Sequence, residues 1–350
     1  MCRIIGKALY EQAILDNKAI HILSSHDHTG DADGNRYFPA EQFTGFSMRK
    51  WRFLLSAVRK GLSCQTVMMS HINLLPAGWL IKKLSPRTRV ILWVHGIEVW
   101  DLPRGYRSRM LGSCDAIFCV SEYTRNKLLK IQGVEPDRCV VLNNCLDPYL
   151  PDPLTKYEGD KIRDFLGLGQ GETLMFTLAR LRSSERYKGY DRVIRAMACL
   201  KEEFPHLKYV IGGQADDAEE AYIRDIVNEN QLEGRVVLLG YVSEDDLAGY
   251  FGAMDFYVMP STGEGFGLVF VEAMHYGLPV IAGDKDGSLD AIDRGRLGLL
   301  VDPFNEQSLV SAIRKLAQDK ERFRPQRERV HDLFGYASYR SRLYGLMHSN

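Results

Sequence analysis

The sequence predicts an α/β protein of two doubly wound domains, each a parallel sheet covered on both faces by helices. Strand-like and helix-like runs alternate along nearly the whole chain. Several strand runs, such as Val90-Ile91-Leu92-Trp93-Val94, are apolar at every position rather than at every second one. That is the pattern of a strand buried on both faces. At 350 residues the chain is long for one core and suits two. The proline-rich stretch 147–153 breaks the alternation and reads as the linker.

Taken in order, the first domain (1–150) reads as strands at 19–23, 66–70, 89–94, 116–120 and 139–142. The second (151–330) reads as strands at 173–179, 207–211, 235–239, 256–259, 279–282 and 299–301. Each is a short apolar run rich in residues that fit a pleated, covered surface. Between them fall helices at 191–204, 218–230, 245–253, 268–276 and 307–318, where apolar residues recur at helical spacing. Residues 331–350 read as a last helix packing back toward the first domain. The sheets are of Rossmann type, and ligands of such sheets lie beyond the carboxyl ends of the strands. The informative residues therefore follow the strands: His95-Gly96, Ser121, Asn144, Arg180, Gly212-Gly213 and Glu264.

Bulk properties narrow the function. Net charge is zero, yet residues 1–150 hold 20 Lys/Arg against 13 Asp/Glu, and the remainder holds 25 against 32. The basic front half suits an anionic partner. Neutrality overall, with no nucleic-acid-binding motif, argues against a dedicated nucleic-acid binder. The seven cysteines are scattered without a CxxC pair, so neither a zinc knuckle nor a disulfide framework is indicated. No leader pattern opens the sequence, and no apolar run reaches the roughly 20 residues of a membrane span. The sequence thus predicts a cytoplasmic protein.

Glu264 and Glu272 stand eight positions apart around the turn Gly263-Glu264-Gly265-Phe266-Gly267, which joins the apolar run 256–259 to the helix 268–276. A strand, a tight glycine-rich turn and a helix N-terminus form an anion site, because uncapped backbone N–H groups point outward. Two carboxylates beside a phosphate cradle suit the hydroxyls of a ribose and a sugar on either side of a diphosphate.

The motifs Val94-His95-Gly96-Ile97-Glu98, Leu178-Ala179-Arg180-Leu181, Tyr187-Lys188-Gly189-Tyr190-Asp191, Ile211-Gly212-Gly213, Gly240-Tyr241-Val242 and Glu264 to Glu272 resemble those of retaining GT-B glycosyltransferases of the family-4 class. The resemblance runs from about Ala19 onward. It implies two Rossmann-like domains facing a central cleft, and transfer of a hexose from a UDP- or GDP-sugar to a glycan or lipid-linked acceptor of a cell-surface polysaccharide or lipopolysaccharide. In such a reaction negative charge grows on the departing diphosphate, and fixed positive charge there lowers the barrier. Arg180 and Lys188 supply it, with the amides of Gly265, Phe266, Gly267, Leu268 and Val269 and the helix dipole. No metal or cofactor is then expected; the DxD pair Asp31-Ala32-Asp33 lies outside the donor motifs.

The resemblance further places Glu264 at the hexose, Glu272 at the ribose, Val242 at the base, His95 near the sugar, and Gly213 and Asn144 along the donor site. Each has a plain structural alternative. Arg180 could be a surface arginine, Glu272 a carboxylate favoured by a helix N-terminus, and His95 a satisfied core histidine. Ser121 reads as a helix N-cap. The family's Asn-Gly-Val-Asp stands here as Asn144-Cys145-Leu146-Asp147. Residues 1–10 already look like the helix that follows the family's first strand, so either the start codon is misplaced or the protein lacks that strand and its loop.

Residues 47–60 hold five basic residues and no acid, with Trp51, Leu54, Leu55 and Val58 on one helical face. They read either as a contact with anionic membrane or as a domain helix turned inward. His26-Asp27-His28 with Asp31 and Asp33 reads as a polar loop. Two other functions fit the same residues: a catalytically impaired nucleotide-sugar binder and a GT-B epimerase.

Overall fold

The computed structural model describes residues 1–100, 105–153, 156–169 and 171–348. The chain divides into two compact units, Met1–Pro148 with Tyr336–Asn350, and Tyr149–Gly335.

The first unit runs α1 (Cys2–Leu15), β1 (Ile22–Ser24), β2 (Phe43–Gly45), α2 (Lys50–Gly61), β3 (Thr66–Met69), α3 (Leu75–Leu84), β4 (Arg89–Val94), α4 (Ile97–Trp100), α5 (Tyr106–Leu111), β5 (Ala116–Cys119), α6 (Glu122–Gln132) and β6 (Cys139–Val141). All its pairings are parallel, but they form two sheets. β1 pairs with β2 alone, while β3-β4-β5-β6 make a second sheet in that order. The fully apolar runs of β4 and β5 are buried as their composition requires, with Trp93 edge-on to Phe118 at 5.3 Å. Ser121 caps α6, accepting from the Thr124 N–H at 3.1 Å. The strand expected at 19–23 is displaced: β1 begins at Ile22, and its partner β2 carries no sequence signal beyond three residues.

The second unit runs α7 (Lys156–Phe165), β7 (Thr173–Leu178), α8 (Tyr190–Ala198), β8 (Leu207–Gly212), α9 (Asp217–Glu229), β9 (Val236–Gly240), α10 (Leu247–Ala253), β10 (Phe256–Met259), α11 (Leu268–His275), β11 (Val280–Gly283), α12 (Ser288–Ala291), β12 (Leu299–Val301), α13 (Glu306–Gln318) and α14 (Arg327–Phe334). Its sheet is parallel and unbroken in the order β12-β11-β10-β7-β8-β9. The strand order reverses between β7 and β10, and the helices cover both faces. On one face Phe176 meets Phe251 (5.4 Å) and Tyr257 (6.1 Å), and Tyr257 meets Phe270 (5.5 Å), all edge-on and fully buried. On the other, Val193, Ile194 and Met197 of α8 pack with Leu309, Ile313 and Leu316 of α13. The helix expected over 191–204 stops at Ala198, and the chain continues as turns toward Pro205.

The last helix, α15 (Tyr336–His348), belongs to the first unit. Glu11 of α1 accepts from the Tyr336 hydroxyl at 2.8 Å and from Arg340 at 2.9 Å. Arg89 donates to the carbonyls of Met347 (2.7 Å) and Leu346 (3.3 Å), placing a cation at the negative end of the helix.

Candidate functional site

The reversal between β7 and β10 is the position at which open parallel sheets bind ligands. Arg180 lies two residues beyond β7 and Glu264 five beyond β10. The segment after β7 turns through a short helical stretch, Ser183–Lys188, and meets the segment after β10, where the Thr262 N–H donates to the Tyr187 carbonyl at 2.9 Å.

Side chains on these two segments form a ladder of alternating charge. Arg180 Nη2 lies 3.1 Å from Glu185 Oε1, Glu185 Oε2 lies 4.0 Å from Lys188 Nζ, and Lys188 Nζ lies 2.5 Å from Glu264 Oε1. Glu185 is buried and the Lys188 and Glu264 side chains are 12% and 17% exposed, whereas Arg180 is 72% exposed. An exposed pair of this kind contributes little to stability, so Arg180 is held near the ladder but remains open to solvent. Lys188 is the buried cation, gripped by a charge-assisted bond. Burial, followed by the nearby Glu264 and Glu185 carboxylates, pushes the Tyr187 phenol up to about 12.

Glu264 leads into the glycine turn and α11, where Gly267 occupies the N-cap with a left-handed backbone (φ 83°) and no side chain caps the helix. The Phe266 ring is buried edge-on to Phe334 at 5.7 Å, so its backbone alone can serve a ligand. Leu268 and Val269 are half-buried in the first turn of α11, and Glu272 is half-buried one turn further. Burial and then the Glu272 carboxylate push the Tyr276 phenol up to about 12. Gly213 follows β8 with φ 135°, and a Cβ there would lie 1.7 Å from the Ala179 carbonyl oxygen. Its glycine is therefore required by the close approach of the β7 and β8 ends. Val242 is half-buried beside an exposed Tyr241.

His95 and Asn144 belong to the first unit. His95 follows β4; its Nε2–H donates to the Ser70 carbonyl at 2.8 Å, and its backbone N–H donates to the Glu98 carboxylate. Burial lowers its pKa, so the ring is neutral near pH 7. Asn144 follows β6, and its Oδ1 is buried without a hydrogen-bond partner. Cys145 is fully buried with an ordinary negative φ, so the side chain standing in place of the family's glycine is accommodated. In the polar loop ahead of β2, Asp31 accepts the His28 N–H at 2.8 Å, and His28 Nδ1 bonds Ser47 Oγ at 2.8 Å.

The basic segment forms α2, and the structure settles which face turns inward. Phe53 and Gly61 are buried, and a Cβ on Gly61 would come within 2.5 Å of Ile81 on α3. Phe53 and Gly61 thus turn toward the unit, with Leu54 and Val58 half-buried, while Trp51 (79% exposed) and Leu55 (71%) point outward. Leu62, at the helix C-cap, continues that exposed stripe, with Arg52 and Arg59 beside it, and Met48 is exposed in the left-handed turn ahead of the helix. Among the described residues, no helix is long and apolar enough to cross a membrane.

Glu185 is the member of the ladder that sequence reading misses. Its only signal is its position three residues before Lys188 in the same turn, and its pairing depends on how that turn folds.

The chain is similar to known proteins along most of its length. Residues 159–331 match the family model of glycosyl transferases group 1, and residues 17–149 match glycosyltransferase family 4. A GDP-mannose-dependent alpha-(1-6)-phosphatidylinositol monomannoside mannosyltransferase of Mycobacterium tuberculosis is 27% identical over 262 residues, 69% of this chain. The chain spans 63% of that relative's length, and 44% and 52% of two others. The fold is similar to that of a glycosyltransferase from Rickettsia africae (TM-score 0.80, 17% identity, 99% of this chain and 95% of that one). It is also similar to Anabaena Alr3699/HepE in complex with UDP (TM-score 0.74, 19% identity, 88% and 86%). Two Rossmann-like units of the GT-B type, with family models covering nearly the whole chain between them, place this protein among the group 1 and family 4 glycosyltransferases.

Proposed function

We propose that the protein is a retaining, metal-independent glycosyltransferase that moves a hexose from a UDP- or GDP-sugar to a hydroxyl of a glycan acceptor on a lipid carrier, in the synthesis of a cell-surface polysaccharide or lipopolysaccharide. The observation that carries this reading is the Arg180–Glu185–Lys188–Glu264 ladder at the β7/β10 reversal, beside the uncapped start of α11. The mannosyltransferase relative acts with GDP-mannose on a phosphatidylinositol mannoside, and HepE binds UDP. Both point to the same chemical class.

In this reading Lys188 and Arg180 contact the diphosphate, and the first amides of α11 add their dipole. As the bond to the anomeric carbon breaks, these fixed charges stabilise the growing negative charge without rearranging. The leaving phosphate takes the acceptor proton on the same face. Glu264 orients the hexose hydroxyls and Glu272 the ribose. Incubating the protein with UDP- and GDP-hexoses in a metal chelator, and measuring release of the nucleoside diphosphate, tests the assignment. Release from a donor is expected, and a protein that binds donor without any turnover contradicts it.

A lipid-linked acceptor calls for contact with a membrane, and α2 suits one. Its exposed Trp51 and Leu55 would enter the interface while Arg52 and Arg59 meet anionic headgroups. Flotation with vesicles should require anionic lipid; binding that is indifferent to it removes α2 from the reading.

A further inference from the structure

The sequence rule that singles out residues after strands also points to Asp286, three residues beyond β11, where the structure holds a fully buried carboxylate. Its Oδ2 accepts from the Ser261 hydroxyl at 2.7 Å and from the Glu264 N–H at 2.7 Å, and its Oδ1 accepts from the Ser288 N–H at 2.9 Å. All three partners donate, so both oxygens must accept, and an ionised carboxylate fits where an amide would set one donor against another. Burial raises this carboxyl's pKa, while the donors oppose the shift. The next residue completes the hold: the Gly287 N–H donates to the Glu264 carbonyl at 2.8 Å. A Cβ on Gly287 would lie 2.1 Å from the Gly265 carbonyl oxygen, so the two loops touch backbone to backbone.

Both backbone polar groups of Glu264 are thus fixed from one side by residues 286–287, while Lys188 holds its side chain from the other. We propose that Asp286 is a positioning residue for glycosyl transfer, locking the 261–264 turn so that the Glu264 carboxylate is aimed at the donor sugar. This rests on the donor-site reading above. Asp286 touches no substrate in that reading and acts through Glu264. Because Glu264 serves the hexose rather than the nucleotide, loosening the turn affects the chemical step while leaving recognition of the nucleoside diphosphate largely intact.

The test measures, for the full chain, kcat with a donor sugar and Kd for UDP and GDP. Asp286→Ala removes every bond, Asp286→Asn keeps one acceptor, and Ser261→Ala removes one bond without touching Glu264. Asp286→Ala should lower kcat on the order of 10²-fold, the scale of a small misplacement of a reacting group. Its Kd for the nucleoside diphosphate should change by less than about threefold. Asp286→Asn should recover part of kcat, and Ser261→Ala, which loses one bond of the lock, should lower kcat less than Asp286→Ala does. Should Asp286→Ala not fold, Asp286→Asn carries the same split between kcat and Kd. A folded variant with wild-type kcat, or one losing Kd and kcat in parallel, overturns the assignment of Asp286 alone. Wild-type protein that binds neither UDP nor GDP overturns the donor reading and this assignment together.

Discussion

The sheet of the second unit is continuous over six strands, whereas the parallel strands of the first are divided between a pair and a set of four. In the second unit β7 and β10 lie side by side, so residues after them are brought together without slack, and the charge ladder forms there. In the first, β1 and β3 each have one unpaired side, and the residues of β1 and most of β3 are half-buried where those of β5 are fully covered. Edge strands leave backbone N–H and C=O groups to be satisfied by other means. The second unit thus places charges accurately against one another. The first presents strand-end residues and an exposed amphipathic helix.

Removing a core side chain from the continuous sheet should have the largest effect. Phe176→Ala, which loses the edge-on contacts with Phe251 and Tyr257, should destabilise the second unit by about 3–5 kcal/mol. Leu23→Ala in the half-buried β1/β2 pair should cost less than about 2 kcal/mol. Denaturant melts of both variants check the contrast, and equal losses would erase it.

Lys188→Ala comes next. It should lower kcat by about 10²-fold or more and also lower stability, because Glu264 and the buried Glu185 lose their cation, while His95→Ala in the first unit should lower kcat less. Steady-state rates with one donor compare them; the reverse order would shift the chemistry to the first unit.

A smaller effect belongs to α2. Replacing Trp51 and Leu55 together by Ser should weaken binding to anionic vesicles by about tenfold while leaving the melting temperature unchanged, since both side chains are exposed. A drop in melting temperature would mean that this face packs inward after all.

The smallest is a pH effect in the second unit. His275 Nε2–H donates to the Pro151 carbonyl at 3.1 Å, and in the neutral ring its Nδ1 accepts from His331 at 3.0 Å. Burial lowers the pKa of both histidines. The unfolded chain therefore takes up protons first, and stability falls as pH drops below about 6.5. Thermal melts between pH 8 and 5 should show this slope, and His275→Asn should flatten it.

Much of the second unit was legible because its strands are apolar at every position, which marks buried parallel strands and hence the residues at their ligand ends. Arg180, Glu264 and the turn to α11 follow from that. Glu185 was not legible, because a glutamate in a polar turn is common and its pairing with Arg180 and Lys188 depends on how that turn folds. Asp286 obeyed the strand-end rule, but a polar residue after an apolar strand is common. The helical period of 47–60 put Trp51, Leu54, Leu55 and Val58 on one face without saying whether it turns inward, and the structure exposes Trp51 and Leu55 while half-burying Leu54 and Val58. That choice depends on Gly61 fitting closely against Ile81. β2 escaped because three residues, Phe43 to Gly45, carry no periodicity.

Calorimetric binding of UDP and GDP in the presence of a metal chelator, for wild type and Lys188→Ala, bears most directly on the cation pair at the β7/β10 reversal. Wild type should bind at least one of the two, and Lys188→Ala should bind it at least tenfold more weakly. Equal affinity in a folded variant would contradict a diphosphate seated on Lys188.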